Sequence, residues 1–166
     1  MLSVICSIMS DRLRIRRMAK RDAEVVATLA RELGYPNEIE SIRERIRAIS
    51  GADLDLLLVA VDATDRPIGF IQAHRVCIIE VGFRVEILGL IVSSSARRSG
   101  IGRRLIDEAE RWGKHIGAEA VSVRSNTKRT EAHVFYPALG YTKIKTQAVY
   151  EKAARLAPPY QLSVIC

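Results

Sequence analysis

The chain has 166 residues, of which 48% are hydrophobic and 27% charged, a composition typical of a single globular domain. No apolar run approaches the ~18 residues of a membrane-spanning helix, and the apolar start lacks the basic residues of a secretion signal. The net charge of +7 suits a nucleic-acid partner, but the basic residues are dispersed and no zinc-finger, RNP or heptad pattern accompanies them. We therefore expect neither a membrane segment nor a nucleic-acid partner.

Cysteine usage argues against disulfides and a metal site. The three cysteines are Cys6, Cys77 and Cys166, and they form no C-x-x-C pattern. We therefore expect a reducing, cytoplasmic setting and no bound metal. The segment Leu-Ser-Val-Ile-Cys occurs at residues 2–6 and again at residues 162–166. This repeat is either chance or the pairing of two apolar ends in a homodimer, and the sequence does not decide between them.

The first part of the chain predicts a strand followed by two helices. Residues 13–16 alternate apolar and polar side chains, which is the period of a half-buried strand. Asp22 is placed to cap a helix whose apolar side chains recur every three or four residues up to Gly34. A second helix with the same spacing follows Asn37, its predicted N-cap.

A hairpin and a central strand come next. Residues 54–61 and 68–79 have the composition of strands, and the turn-forming residues 62–67 join them. Residues 85–92 are predicted to form the central strand, because residues 87–92 are a short apolar run dense in β-branched side chains, as in a strand that is covered on both faces. Gly89 interrupts this run and predicts a β-bulge there.

The central strand leads into a loop with the properties of a phosphate-binding site. Residues 97–102 are Arg-Arg-Ser-Gly-Ile-Gly, and the apolar residues that follow recur at helical spacing as far as Gly117. Glycines let a ligand approach the backbone, and the unpaired first-turn N–H groups of a helix attract anions. A dinucleotide fingerprint needs a small residue at Leu105, and a P-loop needs Lys-Ser or Lys-Thr at 103–104; this chain has neither.

The remaining segments are predicted to complete the sheet. Residues 118–124 form a strand that follows a helix, so this strand should lie parallel to the central strand. A helix at 129–139 and a closing hairpin at 141–151 follow. The tail 153–166 contains a Pro-Pro pair and is expected to be irregular.

Two segments resemble motifs of the GNAT superfamily of N-acetyltransferases. The pattern Arg-x-x-Gly-x-Gly at 97–102 is similar to motif A, and Asn126 with Phe-Tyr-x-x-x-Gly-Tyr at 135–141 is similar to motif B. The resemblance implies a mixed α/β fold, with a mostly antiparallel sheet of roughly six to seven strands, a splayed parallel pair and about four helices. It also implies a single domain over residues 1–166, with residues 1–10 and 153–166 as peripheral tails.

The resemblance further implies where a co-substrate binds. In the family, the motif A loop holds the pyrophosphate of acetyl-CoA, and the pantetheine arm lies along the central strand. The residues implied to bind acetyl-CoA are Leu90, Ile91, Val92, Arg97, Arg98, Ser99, Gly100, Ile101, Gly102, Arg103 and Asn126. The chain departs from the family at 93–96, where Ser-Ser-Ser-Ala replaces the frequent Asp-Pro-aromatic sequence.

Two side chains are candidates for catalysis. An attacking amine must lose a proton, since a free lysine-type amine has a pKa of about 10.4, and a departing thiolate gains from protonation. The resemblance assigns the acid to Tyr136 and the base to Glu86, at the head of the central strand. We interpret His74, His115 and His133 as structural, because no ligand cluster surrounds them in the sequence.

The function implied by the resemblance is transfer of the acetyl group of acetyl-CoA directly to a primary amine of a small molecule or peptide. A noncatalytic CoA-binding or sensory module of the same fold is the alternative, although the presence of both Glu86 and Tyr136 favours an enzyme. A nucleic-acid-binding protein is a third hypothesis, which charge alone supports. No readable pattern identifies the amine.

Overall fold

A computed structural model of the chain describes residues 13–51 and 53–153. The chain divides into two compact units, Met1–Arg129 and Thr130–Cys166. The repeated ends and their cysteines lie outside the described residues, and the single domain implied for residues 1–166 stays a prediction. Within the two described stretches, no helix combines the length and the apolar character needed to cross a membrane.

The first unit is built on one mixed sheet. Its strands are β1 (Arg14–Arg17), β2 (Asp55–Val61), β3 (Pro67–Ile78), β4 (Gly82–Val92) and β5 (Ala120–Val123). The strands lie in chain order across the sheet; β1 to β4 are antiparallel, whereas β4 and β5 are parallel. The predicted parallel step is therefore confirmed, since the chain returns to the sheet through a helix.

Helices cover both faces of this sheet. They are α1 (Ala23–Glu32), α2 (Ile39–Ser50) and α3 (Ile101–His115). The apolar stripes of α1 and α2 pack with β2 in one buried cluster that includes Val26, Ile46 and Val59. α3 lies on the opposite face, where its Leu105 is fully buried and its Gly113 lies against the β4–β5 pair. With α4 (Thr130–Ala138) of the second unit, the described residues contain the four helices expected.

The sequence predicts Asp22 as the N-cap of α1, and the structure gives this carboxylate other partners. Asp22 ends a short 3₁₀ turn and occupies the N-cap position of α1, as predicted, but its side chain makes no capping hydrogen bond to α1. Its oxygens accept the N–H of Ala19 and two hydrogen bonds from Arg16, each at 2.8 Å. Burial raises the pKa of the Asp22 carboxyl, but these hydrogen bonds and the charges of Arg16 and Arg21 outweigh burial, so the net pKa is lowered.

The sequence also predicts Asn37 as the N-cap of α2, and this prediction is wrong. Glu38 occupies the N-cap position and makes no side-chain capping bond. The Asn37 side chain instead donates to the carbonyl of Tyr35 at 2.9 Å and accepts from Arg45 at 2.8 Å. Asn37 therefore stabilises the turn before α2, since a short amide side chain can serve nearby backbone groups other than helical N–H groups.

The sheet of the described residues has five strands, fewer than the roughly six to seven implied. The difference lies in the second unit, where residues 141–153 contain no strand, so the closing hairpin predicted at 141–151 is wrong. Its apolar side chains are open to solvent, with Ile144 76%, Val149 88% and Tyr150 93% exposed. A two-stranded hairpin alone is marginal in water, and no Gly, Pro, Asn or Asp lies at its centre to fix a turn.

Candidate active site

The parallel strands β4 and β5 part halfway along β4. Their pairing runs from Arg84 opposite Ala120 to Ile87 opposite Val123, where β5 ends. β4 continues to Val92 and stays paired with β3 on its other side. Within the described part of the chain, residues 88–92 therefore have a strand partner along one edge only. The backbone groups on the other edge have no strand partner, although the Val92 carbonyl accepts a hydrogen bond from Nε of Arg97 at 3.3 Å, and the predicted splayed pair is confirmed.

A β-bulge lies where the parting begins. Gly89 is opposite Gln72, but the next pair on β3 is Ala73 with Ile87, so Leu88 is the extra residue of β4. The bulge predicted at Gly89 is thus present one residue earlier, and Leu88 is 54% exposed. Bulges bend a strand and interrupt its ladder. Here the bend coincides with the point at which β4 leaves β5.

The loop after β4 is held at its start by hydrogen bonds from two backbone N–H groups. The N–H of Ser93 donates to the carbonyl of Ile68 at 2.9 Å, and the N–H of Ser94 donates to the Glu32 carboxylate at 2.9 Å. A 3₁₀ turn at Ser94–Ala96 follows. The serine segment that replaces the family's usual lead-in is therefore ordered by the end of α1 and the start of β3.

The loop then turns through two residues with positive φ and starts α3. Arg98 has φ 64° and Gly100 has φ 81°, and Gly100 is the N-cap of α3. Gly100 suits this position because glycine adopts positive φ without strain. No described atom outside its neighbours lies within 4 Å of a Cβ placed on Gly100, so the space over the helix N-terminus is open.

The chemistry of this loop suits an anion such as a pyrophosphate. The first-turn N–H groups of α3 are unpaired in any α-helix, and Gly100 offers no side chain to cap them. The surrounding arginines are all exposed: Arg97, Arg98, Arg103 and Arg104. Ile101 is 4% exposed and fixes the first turn of the helix in the core. The loop and helix predicted from the sequence are confirmed as structure.

Glu86 lies on β4 just before the parting, on the face opposite α3. Its side chain is 12% exposed. The guanidinium of Arg124 engages both carboxylate oxygens: Nε contacts Oε1, and Nη2 lies 3.2 Å from Oε2. Sequence reasoning did not find Arg124, because the contact joins residues 38 positions apart and depends on the parallel register of two strands.

A second polar pair lies beside Glu86. His74 of β3 is in register with Glu86 on one side and with Asp55 of β2 on the other. Nδ1 of His74 lies 3.1 Å from Oδ1 of Asp55. The sequence carries no signal for this pairing, since the residues are 19 positions apart and become neighbours only through the hairpin register.

Asn126, an implied contact to acetyl-CoA, lies in the turn after β5. Its Oδ1 accepts the N–H of Lys128 at 2.9 Å, and its carbonyl accepts the N–H of Arg129 at 2.9 Å. The side-chain oxygen thus stabilises the turn, as short polar side chains often do. The contact of Asn126 with a co-substrate stays a prediction.

In the second unit, Tyr136 lies on α4 in a cluster of aromatic rings. Its ring centroid is 5.1 Å from that of Phe135 and 5.8 Å from that of Tyr141, both edge to face. The N–H groups of Leu139 and Tyr141 donate to the Tyr136 carbonyl at 3.0 and 3.1 Å and end the helix. Residues 135–141 of motif B therefore form one ordered element of the second unit, while the catalytic role of Tyr136 stays a prediction.

The site thus combines two features, parallel strands that part along β4 and an open helix N-terminus at Gly100. The sequence model described as "Acetyltransferase (GNAT) family" matches residues 18–141. The chain belongs to the GNAT acetyltransferase family. No curated protein sequence matches it significantly.

Solved structures show the same fold. A GNAT family acetyltransferase from Staphylococcus aureus is 21% identical, with a TM-score of 0.71 over 85% of this chain and 99% of that one. AAC(6')-Iy, bound to a bisubstrate analogue of CoA, is 23% identical, with a TM-score of 0.74 over 86% of this chain and 99% of that one. Glucosamine-6-phosphate N-acetyltransferase from Arabidopsis thaliana is 18% identical, with a TM-score of 0.73 over 84% and 97% of the two chains.

Proposed function

We propose that this protein transfers the acetyl group of acetyl-CoA to a primary amine of a small molecule or peptide. The observation that carries the proposal is the one-sided pairing of residues 88–92, directly before the α3 N-terminus. A long ligand with an anionic end fits such a site, because the strand edge offers backbone hydrogen bonds and the helix end favours negative charge. Acetyl-CoA has both properties.

The residues implied by the family resemblance divide between the two parts of this site. The pyrophosphate would bind at the N–H groups of Gly100, Ile101 and Gly102, with the side chains of Arg97, Arg98 and Arg103 nearby. The pantetheine amides would pair with backbone groups of Leu90, Ile91 and Val92 on the edge that β5 leaves free. Open space at Gly100 and four exposed arginines support this assignment.

When bound, acetyl-CoA supplies an activated acetyl group as a thioester. The backbone N–H groups near Leu90 are the candidates to donate to the reacting carbonyl oxygen, because donors fixed in the strand need no reorganisation. Tyr136 is the candidate acid for the departing thiolate. Glu86 is the predicted base, but its two oxygens are already engaged by Arg124.

Acetyl-CoA binding tests the proposal first, by calorimetric titration of wild type and Gly100→Glu. We expect Gly100→Glu to weaken binding by about tenfold or more, because it places a carboxylate where the pyrophosphate would lie. Gly117→Glu is the matched control: Gly117 has φ 75° and equally open surroundings, but it follows the other end of α3. Equal binding by all three proteins would contradict the proposed site.

Turnover tests the second half of the proposal. Acetyl transfer is measured with spermidine, kanamycin, glucosamine 6-phosphate and a decapeptide with a free N-terminus. These probes differ in charge and size, so the preferred one identifies the class of acceptor. Acetyl-CoA binding without acetylation of any probe would contradict an acetyltransferase function toward amines of these kinds.

A further inference from the structure

Three polar side chains form a row across the sheet beside the parting of β4 from β5. Asp55 is in register with His74, and His74 is in register with Glu86. Side chains of residues that are in register point to the same face of a sheet, so these three side chains lie side by side. We call Asp55, His74 and Glu86 the polar row. Glu86 is two residues before Leu88, where the parting begins, or about 7 Å along the strand.

Asp55 determines which nitrogen of His74 can accept a proton. Oδ1 of Asp55 lies 3.1 Å from Nδ1 of His74. A carboxylate accepts a hydrogen bond there only when Nδ1 carries the hydrogen, and neutral imidazole then has its lone pair on Nε2. Among the residues that the structure describes, Nε2 has no hydrogen-bond partner. The polar row therefore contains a free proton acceptor.

His74 and Glu86 differ in their partners and in their access to water. Both oxygens of Glu86 contact the guanidinium of Arg124, whereas Nε2 of His74 contacts no hydrogen-bond partner among the described residues. The His74 side chain is 37% exposed and can pass a proton on to solvent. Asp55, at 12% exposed, would balance the charge of a protonated imidazole.

We infer that His74 is the general base for the acceptor amine, directly or through one water, and that Asp55 is its positioning residue. The inference rests on the proposed function. In this arrangement Glu86, paired with Arg124, lines the site beside His74 and does not deprotonate the acceptor. The charged groups beside His74 in the sheet are Asp55 on β2 and Glu86 on β4, with Arg124 beyond Glu86.

The proton balance of the reaction follows from these roles. One N–H bond of the ammonium breaks, and its proton passes to Nε2 of His74. The neutral amine then forms the new C–N bond as the C–S bond breaks. The thiolate takes a proton from the phenol of Tyr136, and the second proton lost by the nitrogen restores that phenol. His74 releases its proton to solvent, so one proton leaves in each cycle.

The tautomer of His74 tests the inference without an acceptor. Long-range ¹H–¹⁵N NMR spectra of the uniformly labelled protein, with His74→Gln to assign the signal, report which nitrogen is protonated in the neutral ring. We expect the Nδ1–H form in wild type and a mixture of forms in Asp55→Asn. A wild-type ring protonated on Nε2 would overturn the inference, because Nε2 could not then accept.

Kinetics with the best probe of the panel give the second test. We expect His74→Gln to lower kcat/KM about 100-fold at pH 7, while the Kd for acetyl-CoA changes less than about twofold. In wild type, kcat/KM should fall toward low pH, and this acid limb of the pH profile should be absent in His74→Gln. Asp55→Asn should lower kcat/KM about tenfold and shift the limb. Glu86→Gln should keep the limb. His115→Gln, on the exposed end of α3, is the matched control.

The outcomes separate this inference from the proposed function. If wild type does not bind acetyl-CoA or does not acetylate any probe, the proposed function is contradicted, whichever tautomer His74 adopts. Wild-type turnover together with an unchanged pH profile in His74→Gln would overturn only the role of His74. An acid limb that disappears in Glu86→Gln instead would return the base to Glu86.

Discussion

Arg124, directly after β5, holds the carboxylate of Glu86 on β4 across the two parallel strands just before they part. The Glu86 side chain is 12% exposed and that of Arg124 is 71% exposed. The ion pair bridges the strands where their backbone pairing ends at Ile87 and Val123. It therefore extends the attachment of β5 to β4 by side chains after the ladder has stopped.

The Glu86–Arg124 pair should show measurable coupling in a double-mutant cycle. We expect Arg124→Ala to destabilise the fold more in wild type than in the Glu86→Gln background, because it leaves a largely buried carboxylate unpaired. A coupling free energy of about 1 kcal/mol is expected, since exposure of Arg124 screens the pair. Urea unfolding of wild type, Arg124→Ala, Glu86→Gln and the double variant gives this coupling free energy.

The matched control is the exposed pair of Arg111 with Glu108, at 2.9 Å on α3. Its coupling should be smaller, about 0.3–0.5 kcal/mol, as for other helix-surface pairs. Additive effects at Glu86 and Arg124 would show that the bridge does not stabilise the parallel pair.

Gly69 allows β3 and β4 to pair closely next to the proposed binding loop. A Cβ on Gly69 would lie 2.8 Å from the Ile91 carbonyl oxygen and 3.4 Å from Cα of Val92. Gly69→Ala should cost about 1–3 kcal/mol, because backbone atoms must shift to relieve the contact. A Tm roughly 2–12 °C below wild type is expected. Gly51→Ala, where the nearest atoms are 3.8 Å away, should change Tm little.

Asp22 should make stability depend on pH in the acid range. Its folded-state pKa is lowered because bonds and charges from Arg16, the Ala19 N–H and Arg21 outweigh burial. Its contribution is therefore present above the unfolded pKa of about 3.9 and lost as pH falls through the folded value. Asp22→Asn should cost about 3 kcal/mol at pH 7, since Arg16 then lacks its buried partner.

Urea unfolding of wild type and Asp22→Asn between pH 7 and pH 2 measures this effect. The difference between the two proteins should shrink as pH falls. Asp53→Asn, at an exposed position, should follow wild type throughout. A difference that stays constant with pH would show that the charge of Asp22 is not the source of its contribution.

Tyr136→Phe tests the predicted acid. If the phenol protonates the departing thiolate, kcat should fall by about 100-fold or more while acetyl-CoA binding is unchanged. The ring contacts with Phe135 and Tyr141 do not require the hydroxyl, so the helix should remain folded. Tyr150→Phe, at a position 93% exposed in the same unit, is the matched control. Full turnover by Tyr136→Phe would remove the acid role.

The segments that the sequence predicted well are those whose signals are local. The strand, loop and helix from β4 to α3 follow from apolar spacing and from glycines at Gly89, Gly100 and Gly117. The family motifs act at the same range, since each occupies fewer than about twenty residues of chain. The capping hydrogen bonds of Asp22 and Asn37 and the closing hairpin were predicted less well. Other hydrogen-bond partners compete for the capping side chains, and burial decides whether a hairpin forms.

The sequence by itself determined the mixed α/β class, the glycine-containing loop before α3 and the family, because periodicity and motif spacing are properties of neighbouring residues. Only the tertiary structure decided the partners of the site carboxylates. Arg124 meets Glu86, and Asp55 meets His74, through strand register. A shift of one residue in that register would turn each side chain to the other face. Such pairs are therefore set by the packing of the whole sheet, not by any local pattern.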